Sequence, residues 1–117
     1  MLTYEIEQSN LHQVKPLDHE LICEEIEQLT TEAGLTMSQR TTLSSKKGSY
    51  HWHFKKGKEK GVLEITYWPK HHRLWLDIHD NRRAPWNIEA IKELAVVFTH
   101  HFGGTVVTND EGGEQDV

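Results

Sequence analysis

Three consecutive stretches of the chain alternate apolar and polar side chains with period two. Tyr50, Trp52 and Phe54 interleave with His51, His53 and Lys55; Leu63, Ile65 and Tyr67 with Glu64, Thr66 and Trp68; Leu74, Leu76 and Ile78 with Trp75, Asp77 and His79. Successive side chains of a strand point to opposite faces, so each stretch predicts a half-buried strand. The connections are short, one carrying Gly57 and Gly61 and the other running from Pro69 to Arg73, which predicts an antiparallel meander.

Two segments follow the helical period instead. Ile22, Ile26, Leu29 and Ala33, widened by Leu21, form an apolar stripe beside Glu24, Glu25 and Glu27. Pro16, Asp18 and Glu20 open this helix, predicted over 17–33, and Gly34 stops it. Ile88, Ile91, Ala95, Phe98 and Phe102 form a broader stripe, with Leu94 and Val97 beside it, in a helix predicted over 86–102. His100 and His101 sit in its last turn, and Gly103 and Gly104 end it.

The rest reads less sharply. Thr3 to Glu7 alternates weakly and is expected as a short edge strand or ordered arm. Residues 35–48 form a long connection, with a helical turn near Met37 to Thr42 as one expectation. Thr105 to Thr108 is expected as a strand running parallel beside the third strand of the meander, reached by a crossover. The expected architecture is therefore a single α+β domain over 1–108, in the order α-β-β-β-α-β, with both helices packed on one sheet face. Residues 109–117, with two adjacent glycines and four acids, are expected as a polar tail.

Sorting the meander by parity gives one large apolar face and a second face of unusual chemistry: His51, His53, Lys55, Val62, Glu64, Thr66, Trp68, Trp75, Asp77 and His79. Directly opposed residues share a face, so a register with Phe54 opposite Leu63 and Tyr67 opposite Leu74 aligns His53, Glu64 and Asp77 in one row. His51 then opposes Thr66, Thr66 opposes Trp75, and His79 sits beside Val62. A two-residue slip of the second hairpin would instead bring Glu64 opposite His79. Opposed carboxylates repel unless a cation, a proton or a histidine compensates.

Composition narrows the setting. The chain has 117 residues and a formal charge of −5, but ten of its thirteen Lys and Arg lie between residues 46 and 83 against four acids. This basic middle between acidic flanks would steer an anionic partner to one surface, or simply keep turns soluble and edges apart. Cys23 is the sole cysteine and falls inside the first helix, which excludes an intrachain disulfide and multi-cysteine zinc sites and predicts an inert thiol in a reducing compartment. With neither an apolar leader nor a run of about 18 apolar residues, the expectation is a cytoplasmic protein without a membrane partner.

Three classes of function compete for the polar face. A protein-interaction module, including self-association, would use Trp68 and Trp75 as anchors, ringed by His51, His53, Arg82 and Arg83; this ranks first. A nucleic-acid module would stack bases on the same tryptophans and set Lys55, Lys58, Lys60, Arg73, Arg82 and Arg83 against phosphates, with Glu64 and Asp77 opposing it. A metal-dependent enzyme would draw ligands from His51, His53, Glu64, Asp77 and His79, since a His-X-His pair on a strand sets two imidazoles on one side about 6.6–6.8 Å apart at Cα. In its most specific form Glu64 is the base, and Arg82 or Arg83 holds an anionic substrate. A small open sheet argues against a deep pocket, so the sequence points away from an enzyme and toward no cofactor beyond a divalent metal at this patch. His71 and His72 read as turn residues, and His12 and His19 receive no role.

Overall fold

A computed structural model describes residues 1–110 of the chain. The elements are β1 (Leu2–Glu7), α1 (His19–Glu32), β2 (Thr36–Met37), β3 (Tyr50–Lys55), β4 (Leu63–Trp68), β5 (Arg73–Ile78), α2 (Pro85–Phe102) and β6 (Thr105–Asp110). They form an α+β domain with one six-stranded sheet in the order β2-β3-β4-β5-β1-β6, every neighbouring pair antiparallel.

The meander β3-β4-β5 takes the in-row register. Phe54 opposes Leu63, His53 opposes Glu64, Glu64 opposes Asp77, Thr66 opposes Trp75 and Tyr67 opposes Leu74. Its apolar face is the core face. Trp52, Phe54, Leu63, Ile65, Tyr67, Leu74, Leu76 and Ile78 are all fully buried, and they cluster with Ile22, Cys23 and Ile26 of α1 and with Trp86, Ile91, Leu94, Ala95, Phe98 and Phe102 of α2. Each such large apolar side chain contributes about 1.5–3 kcal/mol on leaving water, which fixes the facing of each strand because a one-residue slip would expose them all.

The N-terminal strand departs from expectation. β1 is interior to the sheet, with Leu2, Tyr4 and Ile6 opposite Ile78, Leu76 and Leu74 on one side and opposite Asp110, Thr108 and Val106 on the other. The C-terminal strand therefore does not pair with the third meander strand. β6 runs in the same direction as β5, but β1 lies between them and supplies the ladder bonds to both. The crossover through α2 skips one strand position to leave that slot.

Gly104 makes the closure feasible. Its φ is +96°, and a Cβ there would stand 2.4 Å from the Glu7 carbonyl oxygen and 3.0 Å from the Ser9 nitrogen, so only glycine lets the chain entering β6 pass the end of β1. β6 also takes in Asn109 and Asp110, which the sequence had assigned to the tail. The remainder of that tail, 111–117, lies outside the described residues.

Two smaller corrections concern α1 and the segment after it. Residues 16–18 form a 3₁₀ turn that leaves Leu17 95% exposed, and α1 buries Ile22, Cys23, Ile26 and Thr30 while Leu21 stays outside. The buried stripe is thus rotated toward Cys23. The helical turn expected near Met37 to Thr42 is extended chain instead: Ser38 N–H donates to the His53 carbonyl (2.9 Å), and Thr41 and His51 exchange two backbone bonds of 2.8 Å. Unpaired backbone at the edge of β3 outweighs the weak helical pattern there.

At the start of α2, the fully buried Asn87 accepts from the Ala84 N–H (3.0 Å) and donates to the carbonyls of Val62 (3.1 Å) and Arg82 (2.8 Å). One side chain thereby caps the helix and ties it to the entry of β4.

Candidate metal centre

The sheet face opposite the helices is covered over part of its area. Residues 42–49 fold back across it: Leu43 N–H donates to the buried Ser49 hydroxyl (3.2 Å), and Trp68 Nε1 donates to the Lys47 carbonyl (2.8 Å). Lys46 lays its ammonium 5.9 Å from the Trp68 ring and 6.0 Å from the Trp75 ring, while the Arg73 guanidinium stacks on Trp75 at 4.4 Å. Trp75 is consequently only 6% exposed. Trp75 is thus screened by this chain's own cations, while Trp68 is tied to the Lys47 carbonyl and stays partly exposed.

Beside them lies a groove of about 530 Å3, whose lining includes Thr3, Lys46, Arg73, Trp75, Asp77 and Asn109. β1 supplies its floor through Thr3, Glu5 and Glu7, between lining residues of β5 and β6, so the groove depends on the interior position of that strand.

The row of opposed carboxylates resolves into two separate environments. Asp77 accepts from the Thr3 hydroxyl at one oxygen (2.6 Å) and from Trp75 Nε1 at the other (2.9 Å). Burial pushes its pKa up, against the lowering effect of those two donors, and the charge of Glu64 adds to the rise. With both oxygens engaged, Asp77 is a wall of the groove and not part of the donor cluster expected from the sequence.

Glu64 is surrounded by histidines instead. Its Oε1 lies 3.1 Å from His51 Nε2 and 3.7 Å from His53 Nε2, and its Oε2 lies 3.1 Å from His79 Nε2. Burial alone would raise the Glu64 pKa, but the hydrogen bond from His51 and the charges of His79, His53 and His51 outweigh it, and the net displacement is downward. Glu64 is therefore an ionised acceptor at neutral pH and serves as the hub of the cluster, not as the free base envisaged from the sequence.

His51, His53 and Glu64 form a His/His/Glu set whose ligand atoms all lie within 4.8 Å of one another. A zinc-like ion with bonds of about 2.0–2.2 Å needs donors about 3.3 Å apart in tetrahedral geometry, a contraction of about 1.5 Å at most, within reach of small side-chain rotations. The His51 and His53 rings meet edge to face with centroids 5.1 Å apart. His51 is nearly buried, and its Nδ1 lies 2.8 Å from the Thr66 hydroxyl, itself 1% exposed. His53 is half exposed, so the cluster opens to solvent on one side.

This cluster overturns the expectation against an enzyme. Two imidazoles and a carboxylate converge with the spacing of a divalent-metal site, on a face whose groove the sequence did not foresee.

The other residues singled out in the sequence lie elsewhere or are engaged. Arg83 bonds Asp80 (2.9 Å) and Asp110 (2.6 Å), and Arg73 makes a two-pronged pair with Glu5 (2.7 and 2.8 Å), so neither guanidinium is a ready anion receptor. The Arg82 side chain is exposed, and its carbonyl serves Val62 and Asn87. Sequence reasoning missed Lys46 and Thr3 because nothing in the local pattern of either segment shows which strand it will lie against. His101, read as a helix-end residue, also pairs with Glu25 across the two helices. Among the described residues, no helix is long and apolar enough to cross a membrane. No family model, no curated protein and no solved structure matches this chain in sequence or fold.

Proposed function

We propose that the chain binds a divalent transition metal through His51, His53 and Glu64 and uses it in metal-assisted catalysis at the outer face of the sheet. The observation that carries this reading is the convergence of the three donors around Oε1 of Glu64. Nitrogen and oxygen donors in this ratio suit zinc, iron(II) or manganese, and three protein ligands leave a coordination position for substrate. The ion would supply Lewis-acid polarisation of a carbonyl or phosphoryl oxygen, which makes hydrolysis the favoured reaction class.

The protein's own residues support this arrangement in three ways. The ladder of β3 and β4 fixes the two histidines and Glu64 on one face. His79, on the turn after β5, engages the second oxygen of Glu64 and so restrains the carboxylate's rotation. The groove lined by Asp77, Trp75 and Lys46 lies one strand from Glu64; none of the three donors lines it, so it would receive the part of a substrate that extends away from the ion.

The test is metal binding by untagged protein. Zinc and manganese titrations followed by calorimetry should show one saturable site that raises the melting temperature. His51→Ala and Glu64→Gln should each abolish it, whereas His12→Ala should not. No saturable binding, or equal binding by Glu64→Gln, would refute the proposal.

A further inference from the structure

The contact between Thr66 and His51 extends this reading and rests on it. Of the donors in the cluster, His51 is the one shut away from water, with its side chain 6% exposed against 51% for His53. Its two ring nitrogens face different partners: Nε2 faces Oε1 of Glu64 at 3.1 Å and Nδ1 faces the Thr66 hydroxyl at 2.8 Å.

An ionised carboxylate only accepts, so toward Glu64 alone Nε2 carries the ring proton. Nδ1 of the neutral ring is then an acceptor, and the Thr66 O–H donates to it. With a metal on Nε2, that nitrogen must offer its lone pair. The ring proton then belongs on Nδ1, which donates to the Thr66 oxygen. A hydroxyl serves both arrangements by rotating its hydrogen, with no heavy atom moving. A carbonyl or carboxylate in its place would serve only the second.

The position is also held rigidly. Thr66 lies in the middle of β4, directly opposite His51, and its β-branched side chain has restricted χ1 freedom. The burial of both residues keeps water from substituting for the hydroxyl.

We infer that Thr66 is a positioning residue for the metal centre: its hydroxyl holds His51 with Nε2 directed into the cluster in both tautomers. It touches neither ion nor substrate and acts only through His51.

Two near-isosteric variants separate the hydroxyl from the packing it accompanies. Thr66→Val keeps the branched shape and loses the hydroxyl, and Thr66→Ser does the reverse. Zinc affinity of the full chain, measured by competition with a chromophoric chelator, should fall about 10–100-fold in Thr66→Val and return to within a few-fold of wild type in Thr66→Ser. The nitrogen chemical shifts of His51 in the zinc-free protein should show the neutral ring protonated at Nε2 in wild type and in Thr66→Val alike, because Glu64 fixes it, while the Nδ1 resonance shifts in Thr66→Val through loss of the hydroxyl's hydrogen bond and returns in Thr66→Ser. Thr66→Ala repeats both measurements should valine disturb the strand.

Wild-type protein that binds no zinc would remove the metal reading and this inference together. Wild-type binding with Thr66→Val equally tight, with Thr66→Ser as weak as Thr66→Val, or with the His51 Nδ1 resonance unchanged in Thr66→Val would remove the role of Thr66 alone.

Discussion

Asp77 offers a sharp test of the electrostatics of the outer face, because two substitutions there should move stability in opposite directions. Asp77→Asn removes the charge and can keep both hydrogen bonds. Trp75 Nε1 is a donor only, so the amide oxygen faces it, while the Thr3 hydroxyl, now donating at 2.6 Å, can turn to accept from the amide nitrogen. Asp77→Ala removes both bonds and leaves the Trp75 N–H, on a residue 6% exposed, with no acceptor, at a cost of about 1–3 kcal/mol.

The charge works the other way. Burial raises the folded-state pKa of Asp77 above its ordinary 3.8, so between 3.8 and the folded value the native state binds more protons than the unfolded chain. Stability from this group is accordingly present below 3.8 and lost as pH rises through the folded pKa, with a slope of at most about 1.4 kcal/mol per pH unit. Wild type carries the whole loss at neutral pH and Asp77→Asn does not.

The assay is urea unfolding in the presence of a chelator, at several values between pH 4 and pH 7.5. Asp77→Asn should be more stable than wild type at pH 7.5, and the gap should close toward pH 4, while Asp77→Ala should be the least stable at pH 7.5. A gap independent of pH, or Asp77→Asn as unstable as Asp77→Ala, would show that the raised pKa or the hydrogen-bond assignment is wrong.

Three further outcomes follow from the fold. Gly104→Ala should destabilise by about 1–3 kcal/mol, read as a lowered melting temperature, because an added Cβ meets the Glu7 carbonyl and φ is +96°. Trp68→Phe deletes the bond to the Lys47 carbonyl, and amide exchange in residues 42–49 should accelerate while that of β4 and β5 stays unchanged. Cys23 is fully buried in the core, and burial pushes its thiol up to about 12, so a thiol reagent at pH 8 should label native protein only at the rate of unfolding; rapid stoichiometric labelling would contradict the packing of α1.

The meander and its two faces were legible in the sequence, and the register it adopts was one of the two that those faces allow. Period-two alternation over three adjacent segments joined by short turns is a local signal, but a two-residue slip of the second hairpin keeps the same faces, so the pairing of Tyr67 with Leu74 was decided by the assembled sheet. The same projection placed His51, His53, Glu64 and His79 on one face, because parity alone decides that.

Tertiary structure decided what parity cannot reach. Leu2, Tyr4 and Ile6 suit an edge or an interior strand equally well, and only the assembled sheet puts β1 between β5 and β6, where Thr3 takes up Asp77 and a groove forms. Residues 42–49 have no period to read, yet they fold back so that the Lys47 carbonyl takes the Trp68 N–H and Lys46 lies beside both tryptophans, of which Trp75 is buried. The in-row register opposes Glu64 to Asp77, and strand pairing by itself leaves that repulsion unresolved. It was resolved by diagonal reach: His51 and His79 lean onto Glu64 from neighbouring rows, while Thr3 and Trp75 hold Asp77. A sequence specifies which face a side chain occupies through the two-residue repeat of the strand, but which neighbour it touches depends on rotamers and on segments distant in the chain.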